Sequence, residues 1–260
     1  MTGHLAVGID AGSTTTKGVV IDHDERLVAS SVVPTAGSVA NAVSRVLSQL
    51  SAMSSLDMAE AVVVTTGYGR ASTGLRGRQV TEITCHSIGV HHLNPDIRLV
   101  IDVGGQDAKV IRIGANGFPV DFDINDKCSA GTGRFLEVMA RVLGVTIDEL
   151  GPLALRSESP CPISSTCTVF AESEVVGRIG SGTSPADIAA GVHQAMSSKI
   201  ASLSRRLGPA GPVALTGGVA LNPAFRHYLS LNLGIETWVP EHPQLTGAIG
   251  AAVLAAREGG

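Results

Sequence analysis

The fold is indicated first by the stretch Ile9-Asp10-Ala11-Gly12-Ser13-Thr14-Thr15-Thr16-Lys17. In it an apolar run ends at an aspartate, and a corner rich in Gly, Ser and Thr leads to a lysine. The stretch Ile101-Asp102-Val103-Gly104-Gly105-Gln106-Asp107-Ala108-Lys109 repeats this order of residue types. Each corner is followed by apolar residues that predict a returning strand, at 19–21 and at 110–113. An internal repeat of this kind predicts two similar α/β domains, each beginning with a meander of strands.

Each of these corners has the chemistry of a phosphate site, because a Gly- and hydroxyl-rich turn offers backbone N–H and O–H groups to phosphate oxygens. The P-loop spacing G-x-x-x-x-G-K-[ST] is absent, so a Walker A site is not predicted. An ordinary hairpin turn explains either corner taken alone. Two facing corners with strand-end carboxylates, Asp10 and Asp102, predict a cleft for a polyphosphate and its Mg²⁺. A third Gly-rich turn, Thr216-Gly217-Gly218-Val219-Ala220, follows another short strand.

Composition narrows the class of protein. The chain has 260 residues, of which 44% are hydrophobic, and a net charge of −4. That charge argues against a nucleic-acid partner held through its phosphates. No apolar run is long enough for a membrane span, and residues 1–10 lack the basic start of a signal peptide. We therefore expect a cytoplasmic, reducing location in which cysteines stay unpaired.

Two of the four cysteines lie at predicted helix starts. Cys128 lies in the polar stretch 125–134, and apolar residues spaced by three and four follow from Phe135. Cys167 follows three candidate N-caps, Ser164, Ser165 and Thr166. Unpaired backbone N–H groups and the helix dipole lower a thiol pKa at such positions and suit a metal-bound thiolate. The alternative is two unrelated buried thiols.

The other two cysteines have simpler interpretations. Cys85 lies on an apolar face of the predicted helix 82–93 and is predicted to be a small buried hydrophobe. The same helix carries His86, His91 and His92, but it lacks the carboxylates that would favour a metal site. Cys161, between two prolines, is predicted to be a free surface thiol.

The chain resembles a large superfamily and, more closely, one family of activator proteins. Three motifs resemble the two phosphate motifs and the adenosine motif of the superfamily of acetate and sugar kinases, Hsp70 and actin, and they are Asp10–Lys17, Asp102–Asp107 and Thr216–Ala220. Three more resemble the activator component of 2-hydroxyacyl-CoA dehydratases and the related ATPase subunits of benzoyl-CoA reductases, and they are Thr66–Arg70, Asn125–Phe135 and Ile163–Glu174. The resemblance runs from about Leu5 to Leu254.

This resemblance implies an α/β fold of two duplicated RNase H-like domains, that is, actin-like ATPase domains, with a nucleotide cleft between them. The first domain would span residues 1–95 and be joined by the C-terminal helix 245–258. The second would span residues 96–244 and carry the cluster cysteines.

The resemblance also implies a site for ATP or ADP with Mg²⁺. The residues it places in catalysis are Asp10, Asp102, Gln106 and Asp107. Asp10 and Asp102 match positions that hold Mg²⁺ through water, and Asp107 a position that orients the attacking water. The residues it places at the nucleotide are Gly12, Ser13, Thr14, Thr15, Thr16, Lys17, Gly104, Gly105, Gly217, Gly218 and Gln244.

Finally, the resemblance implies a homodimer with one [4Fe–4S] cluster, to which each subunit contributes Cys128 and Cys167. An electron donor such as ferredoxin or flavodoxin would reduce the cluster, and ATP hydrolysis would deliver one electron to a 2-hydroxyacyl-CoA dehydratase. The residues themselves allow a second arrangement, since a cubane cluster takes four thiolates and one chain has four cysteines. If Cys85 and Cys161 are not ligands, two cysteines per chain remain, and two chains in a C₂ dimer would supply the four thiolates.

Three other functions stay open at this point. A small-molecule kinase of the same fold would need neither Cys128 nor Cys167. A chaperone-like nucleotide switch would reduce no acceptor. A benzoyl-CoA reductase subunit would pair with a different chain instead of a second copy.

Overall fold

The computed structural model describes residues 5–54, 61–164, 167–208 and 211–259. The chain divides into two compact units. The first comprises Met1–Arg98, Arg112–Val120 and Gln244–Gly260, and the second comprises Leu99–Ile111 and Asp121–Pro243. The predicted N-caps Ser165 and Thr166 lie outside the described residues.

The first unit contains a five-stranded sheet of order β3-β2-β1-β4-β5. Its strands are β1 Ala6–Ala11, β2 Thr15–Ile21, β3 Leu27–Pro34, β4 Val62–Thr66 and β5 Arg78–Gln79, and its helices are α1 Val39–Ser54, α2 Glu82–Leu93 and α8 Thr246–Gly259. The first three strands form the predicted antiparallel meander, and β4 runs parallel to β1.

Helix α8 packs against its neighbours at backbone distance, as its small residues predict. A Cβ on Gly8 of β1 would lie 2.0 Å from the Ala248 carbonyl oxygen, and a Cβ on Gly250 would lie 1.8 Å from that of Cys85 in α2. Glycine at these positions lets β1, α2 and α8 approach more closely than any side chain allows.

The second unit carries a sheet of order β10-β9-β6-β7-β8. Its strands are β6 Leu99–Val103, β7 Ala108–Ile113, β8 Pro119–Asn125, β9 Val213–Thr216 and β10 Thr237–Trp238, and its helices are α3 Gly133–Val142, α4 Ile147–Ala154, α5 Thr168–Gly180, α6 Pro185–Arg206 and α7 Pro223–Leu233. Helix α6 begins at Pro185 after Ser184, as predicted. The core of this unit joins the sheet to all five of these helices.

The two sheets have the same strand order, which confirms the predicted internal repeat. The equivalence extends past the meanders, because Asp10 lies opposite Thr66 in one sheet and Asp102 lies opposite Thr216 in the other. The glycine after each threonine has a positive φ, 94° at Gly67 and 85° at Gly217. Strands β4 and β9 therefore each end in a threonine that is followed by glycine and lies opposite an aspartate of the neighbouring strand.

Strand β8 begins and ends later than the predicted strand 117–122. Gly117 has a φ of +81°, and its N–H donates to the Gly114 carbonyl, so it belongs to the turn that precedes the strand.

Within the described part of the chain, no helix is both long and apolar enough to cross a membrane.

Candidate functional site

The first corner joins β1 to β2 and holds an ion pair. Lys17 lies opposite Asp10 in the strand register, and its Nζ is 3.1 Å from Asp10 Oδ2. The side chain of Asp10 is almost fully buried at the strand end. A Cβ on Gly12 would lie 2.8 Å from the Thr15 carbonyl oxygen and 3.2 Å from Lys17 Nζ. The corner thus presents a carboxylate, an ammonium group and closely folded backbone together.

The hydroxyl residues of this corner divide into two groups. Ser13 and Thr14 are exposed, whereas Thr16 is buried and its hydroxyl is 3.0 Å from that of Thr35. Thr35 also donates to the Gly12 carbonyl at 2.8 Å. Thr35, which the sequence did not single out, therefore braces the corner from the buried side.

The second corner, between β6 and β7, holds two carboxylates around one buried lysine. Lys109 Nζ lies 2.7 Å from Asp107 Oδ2 and 3.8 Å from Asp102 Oδ2. The hydroxyl of Thr216, from β9, donates to Asp102 Oδ1 at 2.8 Å. Gln106 is exposed at the tip of this corner. The sequence did not assign a role to Lys109, although the repeat pairs it with Lys17.

The third Gly-rich turn is held at backbone distance from the second corner. Gly217 has φ 85° and ψ 177°, and a Cβ there would lie 2.3 Å from the Val103 carbonyl oxygen. Its N–H donates to the Pro243 carbonyl at 2.8 Å, one residue before Gln244. Gly218 begins a 3₁₀ turn that leads to α7. No side chain other than hydrogen fits at Gly217.

The two predicted thiolates lie in adjoining segments. Cys167 is the N-cap residue of α5, and Cys128 precedes the 3₁₀ turn Ser129–Gly131. The hydroxyl of Ser129 lies 2.8 Å from that of Thr168, so the residues that follow the two cysteines are hydrogen-bonded to each other. Both thiols are half-buried. The fold therefore brings together the two segments that carry the selected cysteines.

A lysine adjoins one of these thiols. Lys199 of α6 donates from Nζ to Cys128 Sγ at 2.8 Å. Burial by itself would raise the pKa of Cys128, but the hydrogen bond from Lys199, the backbone N–H of Ala130 and the positive charge of Lys199 bring this pKa below the ordinary value. The predicted lowering is confirmed in direction. Its main source is Lys199, which the sequence reasoning missed because α6 lies about seventy residues further along the chain.

The N-terminus of α3 serves the second corner instead of Cys128. The N–H groups of Gly133 and Arg134 donate to the carbonyls of Gly104 and Gly105, each at 2.8 Å. Cys128 lies near this helix start, as predicted, but it is the N-cap of the 3₁₀ turn that precedes α3 and not of α3 itself. Backbone hydrogen bonds consequently join the second corner to the start of α3, which follows the Cys128 segment.

The remaining cysteines are both buried. Burial raises the pKa of Cys85 to about 12, which confirms its prediction as a small buried hydrophobe. The prediction of a surface thiol at Cys161 is wrong. Its N–H donates to the Asp187 carbonyl, and its own carbonyl lies against Gly191 of α6, where a Cβ would approach to 1.7 Å. This contact draws the proline-flanked loop into the core.

Two of the three histidines of α2, His86 and His92, have separate partners. His86 Nδ1 lies 2.9 Å from the Thr246 hydroxyl, and His92 pairs with Glu25 at 3.1 Å. Among the described residues, no three His, Cys, Asp or Glu side chains are grouped so as to hold a metal ion. Cys128 and Cys167, both half-buried thiols, fit two of the four thiolate ligands that a cubane iron–sulfur cluster takes.

Each corner, taken by itself, offers a carboxylate and a lysine that suit a magnesium-bound phosphate. Asp10 and Asp102 are oxygen ligands of the type Mg²⁺ prefers, and the two lysine ammonium groups suit phosphate oxygens. The Gly-rich backbone beside them leaves room for phosphate to approach closely.

Comparison with known proteins agrees with this chemistry. The 2-hydroxyisocaproyl-CoA dehydratase activator of Clostridioides difficile is 42% identical over 250 residues, which are 96% of this chain and 94% of that protein. The (R)-2-hydroxyglutaryl-CoA dehydratase activating ATPase of Acidaminococcus fermentans is 43% identical over 254 residues, 96% of each chain. The solved structure of the 2-hydroxyisocaproyl-CoA dehydratase activator from Clostridium difficile with bound ADPNP superposes with a TM-score of 0.93 at 42% identity, covering 98% of this chain and 95% of that one. Residues 7–255 match one family over almost the whole chain, and the protein therefore belongs to the BadF/BadG/BcrA/BcrD ATPase family.

Proposed function

We propose that this protein is an ATP-dependent activator that passes one low-potential electron from a [4Fe–4S] cluster to a 2-hydroxyacyl-CoA dehydratase. The observation that carries the proposal is the hydrogen bond between Ser129 and Thr168, 2.8 Å long, which joins the segments of Cys128 and Cys167. Membership of an ATPase family and the names of the relatives support the same conclusion.

The nucleotide-binding part of the proposal uses residues of both corners and of the third turn. Asp10 and Asp102 would bind Mg²⁺ through water, and Asp107 would orient the attacking water. Gln106 and the backbone of Gly104 and Gly105 would contact phosphate oxygens. Further nucleotide contacts are proposed at Gly12, Ser13, Thr14, Thr15, Thr16, Lys17, Gly217, Gly218 and Gln244. We also propose functional domains at residues 1–95 with 245–258 and at 96–244. The two compact units support this division except at Arg112–Val120, which belongs to the first unit.

The thiol part of the proposal requires two copies of the chain. Each copy would contribute Cys128 and Cys167, because Cys85 and Cys161 are buried in other packing. When bound, the cluster supplies a one-electron couple of low potential. The electron would come from a ferredoxin or flavodoxin and go to the dehydratase partner.

Coupling between hydrolysis and electron transfer is proposed to run through the start of α3. The carbonyls of Gly104 and Gly105 accept from the N–H groups of Gly133 and Arg134. Cys128 precedes these donors by only a short 3₁₀ turn, and Asn125 Nδ2 donates to the Cys128 carbonyl at 2.8 Å. A change in the corner on loss of the terminal phosphate would therefore act on the Cys128 segment through backbone bonds.

Anaerobic purification with iron analysis and native mass measurement tests the proposal. We expect about four irons per dimer in the parent protein and loss of iron in Cys128→Ala and in Cys167→Ala. Cys85→Ala is the matched control, since it removes a thiol that is fully buried elsewhere, and it should keep the iron. A full iron content in Cys128→Ala would overturn the proposed ligand set.

Two other functions are separated by the same samples. A small-molecule kinase of this fold would bind no iron and would phosphorylate an acceptor. A subunit of a benzoyl-CoA reductase-type enzyme would bind iron, but its native mass would fit a complex with a different chain.

A further inference from the structure

Lys199 is a basic residue that the proposed chemistry has not yet used. It lies in the second half of α6, and its ammonium donates to Cys128 Sγ at 2.8 Å. Within the described parts of the chain, no carboxylate lies within ion-pair distance of Lys199, whereas Arg206 of the same helix pairs with Asp123 at 2.8 Å. The charge of Lys199 is thus directed at sulfur.

The path of the lysine side chain is fixed by close packing. A Cβ on Gly131 would lie 2.9 Å from Asn125 Nδ2 and 3.6 Å from Lys199 Cδ, so the glycine lets the 3₁₀ turn settle against the lysine stem. Asn125 in turn holds the Cys128 carbonyl at 2.8 Å. Lys199 and Asn125 both line a surface depression of about 250 Å³. Two polar side chains therefore hold one cysteine, one at its carbonyl and one at its sulfur.

Hydrogen bonds to ligand sulfurs and nearby charge are among the factors that set the potential of an iron–sulfur cluster. Reduction adds one electron to a thiolate-ligated group that is already anionic. A fixed ammonium beside one of the sulfurs stabilises the more negative state more than the less negative one. The ammonium itself neither gains nor loses a proton in this step.

We propose that Lys199 is a positioning residue for the cluster, which holds the Cys128 sulfur and favours the reduced state. This inference rests on the proposed function, because it needs Cys128 to be a cluster ligand. In a dimer each subunit would bring one Lys199 beside its own Cys128.

The test is a spectroscopic redox titration of the anaerobic, iron-loaded full-length protein with a chemical one-electron reductant. Lys199→Met removes the charge and keeps the length of the side chain, and Lys199→Arg keeps both charge and donors. Arg205→Met is the matched control, since it removes one positive charge from the same helix about 9 Å further along its axis. Arg205 donates to the Asn232 carbonyl and not to a sulfur.

We expect Lys199→Met to lower the equilibrium constant for cluster reduction about tenfold, which moves the midpoint of a one-electron couple by 59 mV to more negative values. Lys199→Arg and Arg205→Met should stay near the parent value. Complete loss of iron in Lys199→Met with full iron in Lys199→Arg would also support the holding role.

Other results overturn the inference. An unchanged midpoint in Lys199→Met would show that the ammonium does not tune the cluster, and an equal shift in Lys199→Arg or in Arg205→Met would assign the effect to packing or to general charge. Parent protein without iron would refute the proposed function itself, and this inference with it. Iron content therefore separates the two failures.

Discussion

Replacing Gly217 with alanine tests the geometry on which the third turn depends. The residue has φ 85° and ψ 177°, a region almost restricted to glycine, where another residue costs about 1–3 kcal/mol. The added Cβ would lie 2.3 Å from the Val103 carbonyl oxygen, and both partners are backbone. Forced packing of this kind costs about 1–3 kcal/mol more. We therefore expect Gly217→Ala to lower the free energy of unfolding by about 2–6 kcal/mol.

Gly234 provides a matched control within the same unit. It also has a positive φ, 72°, but nothing lies within 4 Å of its added Cβ. Alanine there carries only the left-handed cost of about 1–2 kcal/mol. Urea titrations followed by circular dichroism compare the two variants on the same transition. Gly217→Ala should also weaken ATP binding in calorimetry, whereas Gly234→Ala should bind like the parent protein.

Equal losses of stability in the two variants would refute the reasoning. That result would mean that the β6 backbone at Val103 moves aside at little cost. The close approach of the third turn to the second corner would then be a loose contact instead of a constraint on the site.

Two further predictions concern buried ionisable groups. Lys109→Met should lower the free energy of unfolding by about 3–5 kcal/mol, because it removes an ammonium group from beside the buried carboxylate of Asp102. Thermal unfolding checks this against Arg26→Met, which removes an exposed ion pair with Asp24. Burial raises the pKa of Cys85 from 9.0 to about 12, so its thiol stays neutral in the folded state while the unfolded thiol ionises; its contribution to stability is therefore lost as the pH rises from 9 towards 12. Iodoacetamide labelling at pH 9, read by peptide mass spectrometry, should modify Cys85 only after denaturant is added, and rapid labelling of the folded protein would contradict its burial.

The internal repeat could be predicted from sequence because its signals are local. An apolar run that ends in aspartate, a Gly-rich corner and a following lysine occur within nine residues at each site, and strand and turn preferences act over that range. The small residues of α8 were equally informative, since only glycine and alanine permit the approach seen between Gly8 and Ala248. The selection of Cys128 and Cys167 rested on helix-start patterns, which are also local.

The partners of those local features are distant in sequence, and no local pattern specifies them. Lys199 reaches Cys128 from a helix seventy-one positions away, and Thr216 reaches Asp102 across 114 positions. The prediction of an exposed Cys161 failed because the burial of its loop depends on Gly191, which lies in a helix further along the chain.

Local patterns of a few neighbouring residues were sufficient to predict the repeated α/β architecture and the two Gly-rich corners, and they singled out Cys128 and Cys167. The contacts between these features could be seen only in three dimensions: the α3 N-terminus donates to Gly104 and Gly105, Ser129 contacts Thr168, and Lys199 donates to Cys128. These contacts depend on how α3, α5 and α6 pack over one sheet, and packing joins residues without regard to their separation along the chain.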